Sequence, residues 1–193
     1  MNNYFILRHG DTTHHLKNKG MTYFKWLDTN PPVKLTKKGV NRIKIVANKL
    51  KKEKINLIYS SDIFRACQTA KIVSKILGIK VIFDKRLREI NLGVYHGRPK
   101  KELYNDFPRI IERFKKRPLK GESWNDVRKR LKSFLKDIEK KHKNKKILIV
   151  SHGDPLWLFE GIIKKMTNKE LLDEIFQDKK YIKMGELRKL KWN

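Results

Sequence analysis

Arg8 and His9 stand side by side ahead of Gly10, and His152 sits between Ser151 and Gly153. Arg65 follows the polar run Ser60-Ser61-Asp62, and Glu89 closes the triplet Leu87-Arg88-Glu89. These residue types define one kind of chemistry. Arginine keeps its charge at any working pH and forks onto phosphate oxygens through paired N–H groups. A neutral imidazole nitrogen is a competent nucleophile toward a phosphoryl group, and an ordinary pKa of about 6.5 makes the neutral form available near neutrality. Two arginines beside such a histidine would hold a phosphate before attack and spread its charge during transfer. A second histidine would donate to the equatorial oxygens. The leaving alcohol needs a proton, and Glu89 is the candidate donor.

Three of these clusters fall where strands end. Tyr4 to Leu7 reads as a short buried strand that stops at Arg8-His9-Gly10. Ile55 to Tyr59 runs into Ser60-Ser61-Asp62, and Lys146 to Val150 into Ser151-His152-Gly153. Open α/β sheets bind ligands beyond the carboxyl ends of their strands. If these strands are parallel neighbours, Arg8, His9, Arg65 and His152 converge on one spot.

The connecting segments read as helices. Thr36 is placed as an N-cap before Val40, Ile43, Val46, Ala47 and Leu50, which recur at helical steps. Ser60-Ser61-Asp62 reads as a helix start, with Ser60 and Ser61 as caps, for the run Ala66, Ala70, Val73 and Leu77 that stops at Gly78. Lys80 to Phe83 is a third strand, Ser123 to about His142 a long helix, and Pro155 opens another ending near Lys165. The tail adds a helical turn or two after Asn168 and an edge strand around Glu186 to Trp192. Alternating strand and helix predict an α/β three-layer sandwich with a mostly parallel central sheet. Between Leu87 and Gly121 the pattern is broken by Gly93, Gly97, Pro99, Pro108 and Pro118. That stretch, about residues 90–120, is expected to be a small helical lid within one domain spanning 1–193.

Composition narrows the class. Four Trp and nine Phe give enough large side chains for a packed core, which excludes global disorder. The longest apolar runs, such as Ile147-Leu148-Ile149-Val150, are far too short to cross a bilayer, and no leader pattern precedes the first strand. A cytoplasmic location and no membrane partner are therefore expected. The single cysteine, Cys67, excludes an intrachain disulfide framework. Forty-eight Lys and Arg against 20 Asp and Glu give a formal charge of +28, a field that attracts anions. The lysines crowd helix ends and loops rather than an aromatic-studded groove, so a solvated basic surface is favoured over a nucleic-acid partner.

The string Leu7-Arg8-His9-Gly10-Asp11-Thr12 resembles the signature of the histidine phosphatase superfamily, the phosphoglycerate mutase-like proteins. Leu35-Thr36-Lys37-Lys38-Gly39 resembles that family's helix-opening segment. Tyr59-Ser60-Ser61-Asp62 through Arg65 to Ala70 is similar to its second phosphate motif. Leu87-Arg88-Glu89 with Gly93 and Gly97 resembles the acid-bearing segment. Gly121-Glu122-Ser123 with Arg130, and Ser151-His152-Gly153, resemble its two later motifs. The resemblance implies His9 as the phosphorylated nucleophile, Arg8, Arg65 and His152 as its phosphate pocket with Gly153 beside them, and Glu89 as proton donor. It implies no metal and no organic cofactor. Where the family often has an aromatic residue and then Asn after the first motif, this chain has His14 and His15. His15 can still donate to a phosphate. His96 replaces the usual Glu or Gln before Gly97. Both changes are expected to bear on substrate choice.

The compact stretch from Arg98 to Lys120 resembles the phosphatase branch rather than the longer mutases. The expectation is a phosphomonoesterase acting on a small phosphorylated metabolite, with a 2,3-bisphosphoglycerate-dependent phosphoglycerate mutase as the alternative. Arg109, Arg113, Lys115, Lys116 and Arg117 could grip a second anionic group. A basic nucleic-acid-binding domain is the non-enzyme alternative; it accounts for the charge and leaves the ordered motifs unexplained. A lone histidine after a strand is more often structural, and His142 in its lysine-rich run reads as solvated. Adjacent His14 and His15 rarely share one metal ion. Rival phosphatase patterns are missing: Val73 stands where a cysteine phosphatase needs Arg after Cys67, and no Gly-rich loop ends in Gly-Lys-Ser or Gly-Lys-Thr.

Overall fold

The computed structural model describes residues 1–14 and 32–192. His15, Pro31 and the stretch between them lie outside the described residues. Five strands form one sheet: β1 Asn3–Arg8, β2 Leu57–Ser60, β3 Val81–Phe83, β4 Lys146–Ser151 and β5 Leu187–Lys189. Their order is β3-β2-β4-β1-β5. All neighbours are parallel except β5, which runs antiparallel along the edge of β1. Among the described residues the helices that accompany them are α1 Lys37–Leu50, α2 Phe64–Leu77, α3 Lys100–Asp106, α4 Trp124–Lys141, α5 Gly153–Ile163 and α6 Asn168–Phe176.

The strands are apolar on both faces because both faces are covered. Side chains alternate across a strand. Phe5, Leu7, Ile58, Leu148 and Val150 therefore pack with Ile43, Ala47, Ala70 and Val73 of α1 and α2. Tyr4, Ile6, Tyr59, Ile147 and Ile149 face the other way, against Phe134 of α4, Phe159 of α5 and Leu171 of α6. This is the expected three-layer sandwich with a mostly parallel sheet. No described helix is long and apolar enough to cross a membrane.

Two of the helix starts are capped as the sequence suggests. The Thr36 side chain accepts from Gly39 N, and Ser123 with Asp126 forms a reciprocal capping box at α4, each worth about 1 kcal/mol. Gly78, at φ 72°, ends α2. Ser60 and Ser61 do not cap α2: it begins at Phe64, after Ile63, with no side-chain cap. The Ser60 hydroxyl instead bonds the Ser61 carbonyl at 2.9 Å, and Ser61 Oγ accepts Ile63 N–H at 3.2 Å. The two extra residues between β2 and α2 turn these side chains inward. His142 is also not simply solvated. It follows the last turn of α4, and its Nε2 meets the Tyr59 hydroxyl at 2.9 Å beneath the sheet.

Residues 85–123 carry α3 and three short 3-10 turns, Lys85–Leu87, Gly93–Tyr95 and Ile110–Phe114. Gly93 has φ 54°, and a Cβ there would strike the Leu119 carbonyl, so glycine lets the two ends of this stretch touch.

Candidate active site

Parallel register brings the strand ends level. Arg8 of β1 pairs with Ser151 of β4, and Ser60 of β2 with Val150. His9 N–H bonds the Ser151 carbonyl at 3.0 Å, and Ser61 N–H the Val150 carbonyl at 3.0 Å. The first residues past three adjacent strands thus lie side by side. Arg8, His9, Arg65 and His152 meet there as the sequence suggests.

His9 is 1% exposed. Its Nδ1 lies 2.9 Å from the Gly10 carbonyl. A carbonyl can only accept, so Nδ1 carries the ring proton and Nε2 the lone pair. Nε2 in turn accepts from Arg65 Nε at 3.3 Å. Arg65 is 3% exposed, an unusual depth for a guanidinium. Thr69, one turn further along α2, accepts Gly10 N–H at 3.2 Å and donates to the Arg65 carbonyl at 2.9 Å. One hydroxyl therefore ties the loop after β1 to the helix that supplies Arg65.

His152 is wholly buried, with its ring centroid 5.3 Å from that of His9 and its Nε2 2.9 Å from Ser61 Oγ. Burial first, then the neighbourhood of Arg65, His9 and Arg8, holds it well below the usual imidazole pKa, so it is neutral. Arg8 donates to the Ile182 carbonyl at 2.8 Å and lies over the Tyr181 ring at 5.5 Å. Its Nε and His152 Nδ1 are buried polar atoms with no hydrogen-bond partner among the described residues. A tetrahedral oxyanion would satisfy both.

Glu89 is held from three sides. Ser151 Oγ bonds the Leu87 carbonyl at 2.6 Å, Arg88 forks onto Asp62 at 2.6 and 2.5 Å, and Arg130 donates to the carbonyls of Arg86 and Glu89 at 2.5 and 3.1 Å. Arg130 is itself fixed by Glu122 at 2.9 Å, and Glu122 binds Asn91 N–H. The Gly-Glu-Ser motif and Arg130 thus brace the acid-bearing segment. Burial, then the charge of Asp154, pushes the Glu89 pKa up to about 7, against the pull of Arg65 and Arg8. A carboxyl poised there can donate a proton and take one back at neutral pH.

Three further groups at the site left little trace in the sequence. Asp154, on the first turn of α5, accepts from the Tyr181 hydroxyl at 2.6 Å and from Trp124 Nε1 at 3.1 Å. Its place two residues after His152 was the one available signal. Tyr181 comes from a lysine-rich tail and had none. A Cβ on Gly153 would collide with the Tyr181 hydroxyl, so Gly153 admits Tyr181 while standing on the first turn of α5. Lys100, at the start of α3, is half-buried within the fields of Arg8, Asp154 and Glu89; burial, then Arg8, depresses its pKa.

Four of the five basic residues from Arg109 to Arg117 are engaged elsewhere. Arg109 and Lys116 both pair with Glu112, Arg117 with Asp126, and Arg113 stacks 4.4 Å from the Trp124 ring centre. His96 holds its own segment, with Nε2 accepting Leu92 N–H at 2.7 Å. His15 lies outside the described residues, and among those described no group of three or more His, Cys, Asp or Glu could hold a metal ion.

A buried histidine with a fixed lone pair, two arginines and a carboxyl poised near neutrality, gathered past the carboxyl ends of parallel strands, have the chemistry to handle a phosphoryl group. The family comparison agrees: residues 4–179 match the model of the histidine phosphatase superfamily (branch 1), and the chain belongs to that family. It is 32% identical over 127 residues to phosphoserine phosphatase 1 of Hydrogenobacter thermophilus, a match covering 63% of this chain and 60% of that protein, less than two thirds of its length. It is 32% identical over 172 residues to phosphoglycerate mutase-like protein 4 of Arabidopsis thaliana, covering 85% of this chain and 69% of the other. A mycobacterial glucosyl-3-phosphoglycerate phosphatase complexed with VO3 has the same fold, with a TM-score of 0.81 at 24% identity over 99% of this chain and 91% of that one.

Proposed function

We propose that this chain is a phosphatase for a small phosphomonoester and works through a phosphohistidine on His9. The observation that carries the reading is the His9 ring itself, whose Nδ1–H is given to the Gly10 carbonyl so that Nε2 faces Arg65 with its lone pair. In the first step Nε2 bonds to phosphorus as the ester P–O bond breaks, and protonated Glu89 gives its proton to the departing oxygen. Arg8, Arg65, His152 and, from the helix start, Gly153 N–H hold the phosphoryl oxygens; His15, outside the described residues, is proposed from the sequence as a further donor. In the second step water attacks phosphorus, Glu89 carboxylate takes its proton, and the P–N bond breaks to release inorganic phosphate. Every charge movement is met by groups already in place, so no metal or organic cofactor is called on.

The substrate side is read from Lys100. Phosphoserine and phosphoglycerate, the chemistries named in the relatives, both carry a carboxylate near the phosphate, and Lys100 is the cation of α3 that shares the fields of Arg8 and Glu89. We assign the substrate to that class, with residues of about 90–120 acting as its lid in a single domain spanning 1–193. Such doubly charged esters do not cross bilayers unaided, which supports a cytoplasmic location where metabolism makes them. The mutase reading keeps one supporting observation, the similarity to a mutase-like relative.

Product analysis tests both. With phosphoserine, 3-phosphoglycerate and uncharged-tail monoesters, chelator present throughout, inorganic phosphate is expected without isomerised ester, and His9→Ala is expected to lose at least about 10⁴-fold in kcat while keeping its fold. Isomer formed on addition of a bisphosphate would move the chain to the mutases. Turnover that survives His9→Ala would end the phosphohistidine reading.

A further inference from the structure

The contact between Ser61 and His152 fixes more than a position. Ser61 Oγ accepts Ile63 N–H at 3.2 Å, which occupies one of its two lone pairs and leaves its proton to be placed. Its single proton then needs an acceptor, and Nε2 of His152 stands 2.9 Å away. Both side chains are fully buried, where an unspent donor or acceptor costs about 1–3 kcal/mol. His152 is neutral and holds one ring proton. If Nε2 accepts from Ser61, that proton is on Nδ1.

We propose that Ser61 is a positioning residue that locks His152 in its Nδ1–H tautomer, so that the atom turned toward the anion site is a donor and not a lone pair. Three observations meet in this assignment. Nδ1 of His152 is the buried ring nitrogen with no partner among the described residues. The His152 ring lies edge-on to His9, at 5.3 Å and 61°, beside the nitrogen that would receive the phosphoryl group. Ser61 is held by its backbone as well, its N–H on the Val150 carbonyl and its carbonyl receiving the Ser60 hydroxyl, so its hydroxyl does not wander. With the opposite tautomer, Nδ1 would aim a lone pair at phosphoryl oxygens and repel them. A buried imidazole has two ways to be neutral, and one hydroxyl chooses between them.

The use of that donor rests on the phosphatase reading, but the tautomer does not, and the two are measured separately. In protein labelled with ¹⁵N histidine, the nitrogen shifts and two-bond couplings of His152 report which nitrogen is protonated, with His152→Gln supplying the assignment. The expected spectrum has Nδ1–H for His152, and Ser61→Ala shifts it to Nε2–H or to a mixture. Ser61→Ala is also expected to weaken inorganic phosphate binding about tenfold, through KM more than kcat, and Ser61→Thr, which keeps the hydroxyl, to restore both readouts. An Nε2–H signature in the unaltered protein, or an unchanged His152 tautomer in folded Ser61→Ala, overturns the proposal whatever the chain hydrolyses. If Ser61→Ala fails to fold, the unaltered protein and Ser61→Thr decide it, since both must show Nδ1–H. A correct tautomer in a protein that binds no phosphate would leave the lock standing and remove the phosphatase reading.

Discussion

Two groups of basic residues lie within one molecule and are built in opposite ways. Arg8, Arg65 and neutral His152 stand at strand ends and the first turns of helices, largely buried, with their hydrogen bonds going to backbone and to each other. Arg109, Lys116 and Arg117 lie on the surface of the 85–123 stretch, each with a carboxylate within reach. The second group carries as much charge, yet its charge is neutralised locally and screened by solvent. What separates them is depth and the sheet that holds the first group in place. Counting basic residues does not find the candidate site; asking which of them the fold buries does.

That contrast can be broken at several points. The largest effect is expected at Arg65→Ala, a loss of about 10³-fold in kcat/KM, because a desolvated donor is removed from the transferring group; a loss below tenfold would put Arg65 outside the phosphate pocket. Glu89→Gln follows, with about 10²-fold lower kcat for alkyl esters and little change for p-nitrophenyl phosphate, whose leaving group needs no proton. The same variant tests stability. Glu89 has its pKa raised on folding, so its contribution is whole below the ordinary glutamate value and is lost as pH rises through about 7. Glu89→Gln should therefore stabilise the protein at pH 8 by about 1–3 kcal/mol and leave it nearly unchanged at pH 4, measured by urea unfolding at each pH. Lys100→Ala should raise KM about tenfold for esters bearing a carboxylate and not for those without. Arg109→Ala, at the small end, should change kcat/KM less than about twofold in physiological salt; a tenfold effect would mean the surface cations do reach substrate.

Much of this architecture was legible in the chain. Tyr4 to Leu7 and Lys146 to Val150 are short, apolar on both faces and followed at once by polar residues, so strands, layers and site follow from one pattern. Arg8, His9, Arg65 and His152 come from strand ends or the helix just beyond, where sequence spacing and spatial spacing coincide. What did not show was whatever required a long-range approach. Tyr181 and Lys100 reach the site by the path of irregular backbone, and no periodicity encodes such a path. Ser61 was misread because a serine before a helix usually caps it; here the chain takes two more residues before turning, and the hydroxyl goes to His152 instead. His142 drew a solvated reading from its lysine neighbours, though helix α4 delivers it to Tyr59.

Strand β1 leads straight into His9, yet its two neighbours in the sheet are β4 and β5, both far along the chain from it. The carbonyls of Arg8 and His9 are both reached by Gly185 N–H, and the Arg8 side chain rests on Ile182 and Tyr181. During synthesis, then, β1 must wait for β4 and β5, which are made long after it. An emerging polypeptide holds His9 without its wall or its paired edge until β5 has cleared the ribosome. The chemistry proposed for His9 would thereby be withheld until the sheet is whole.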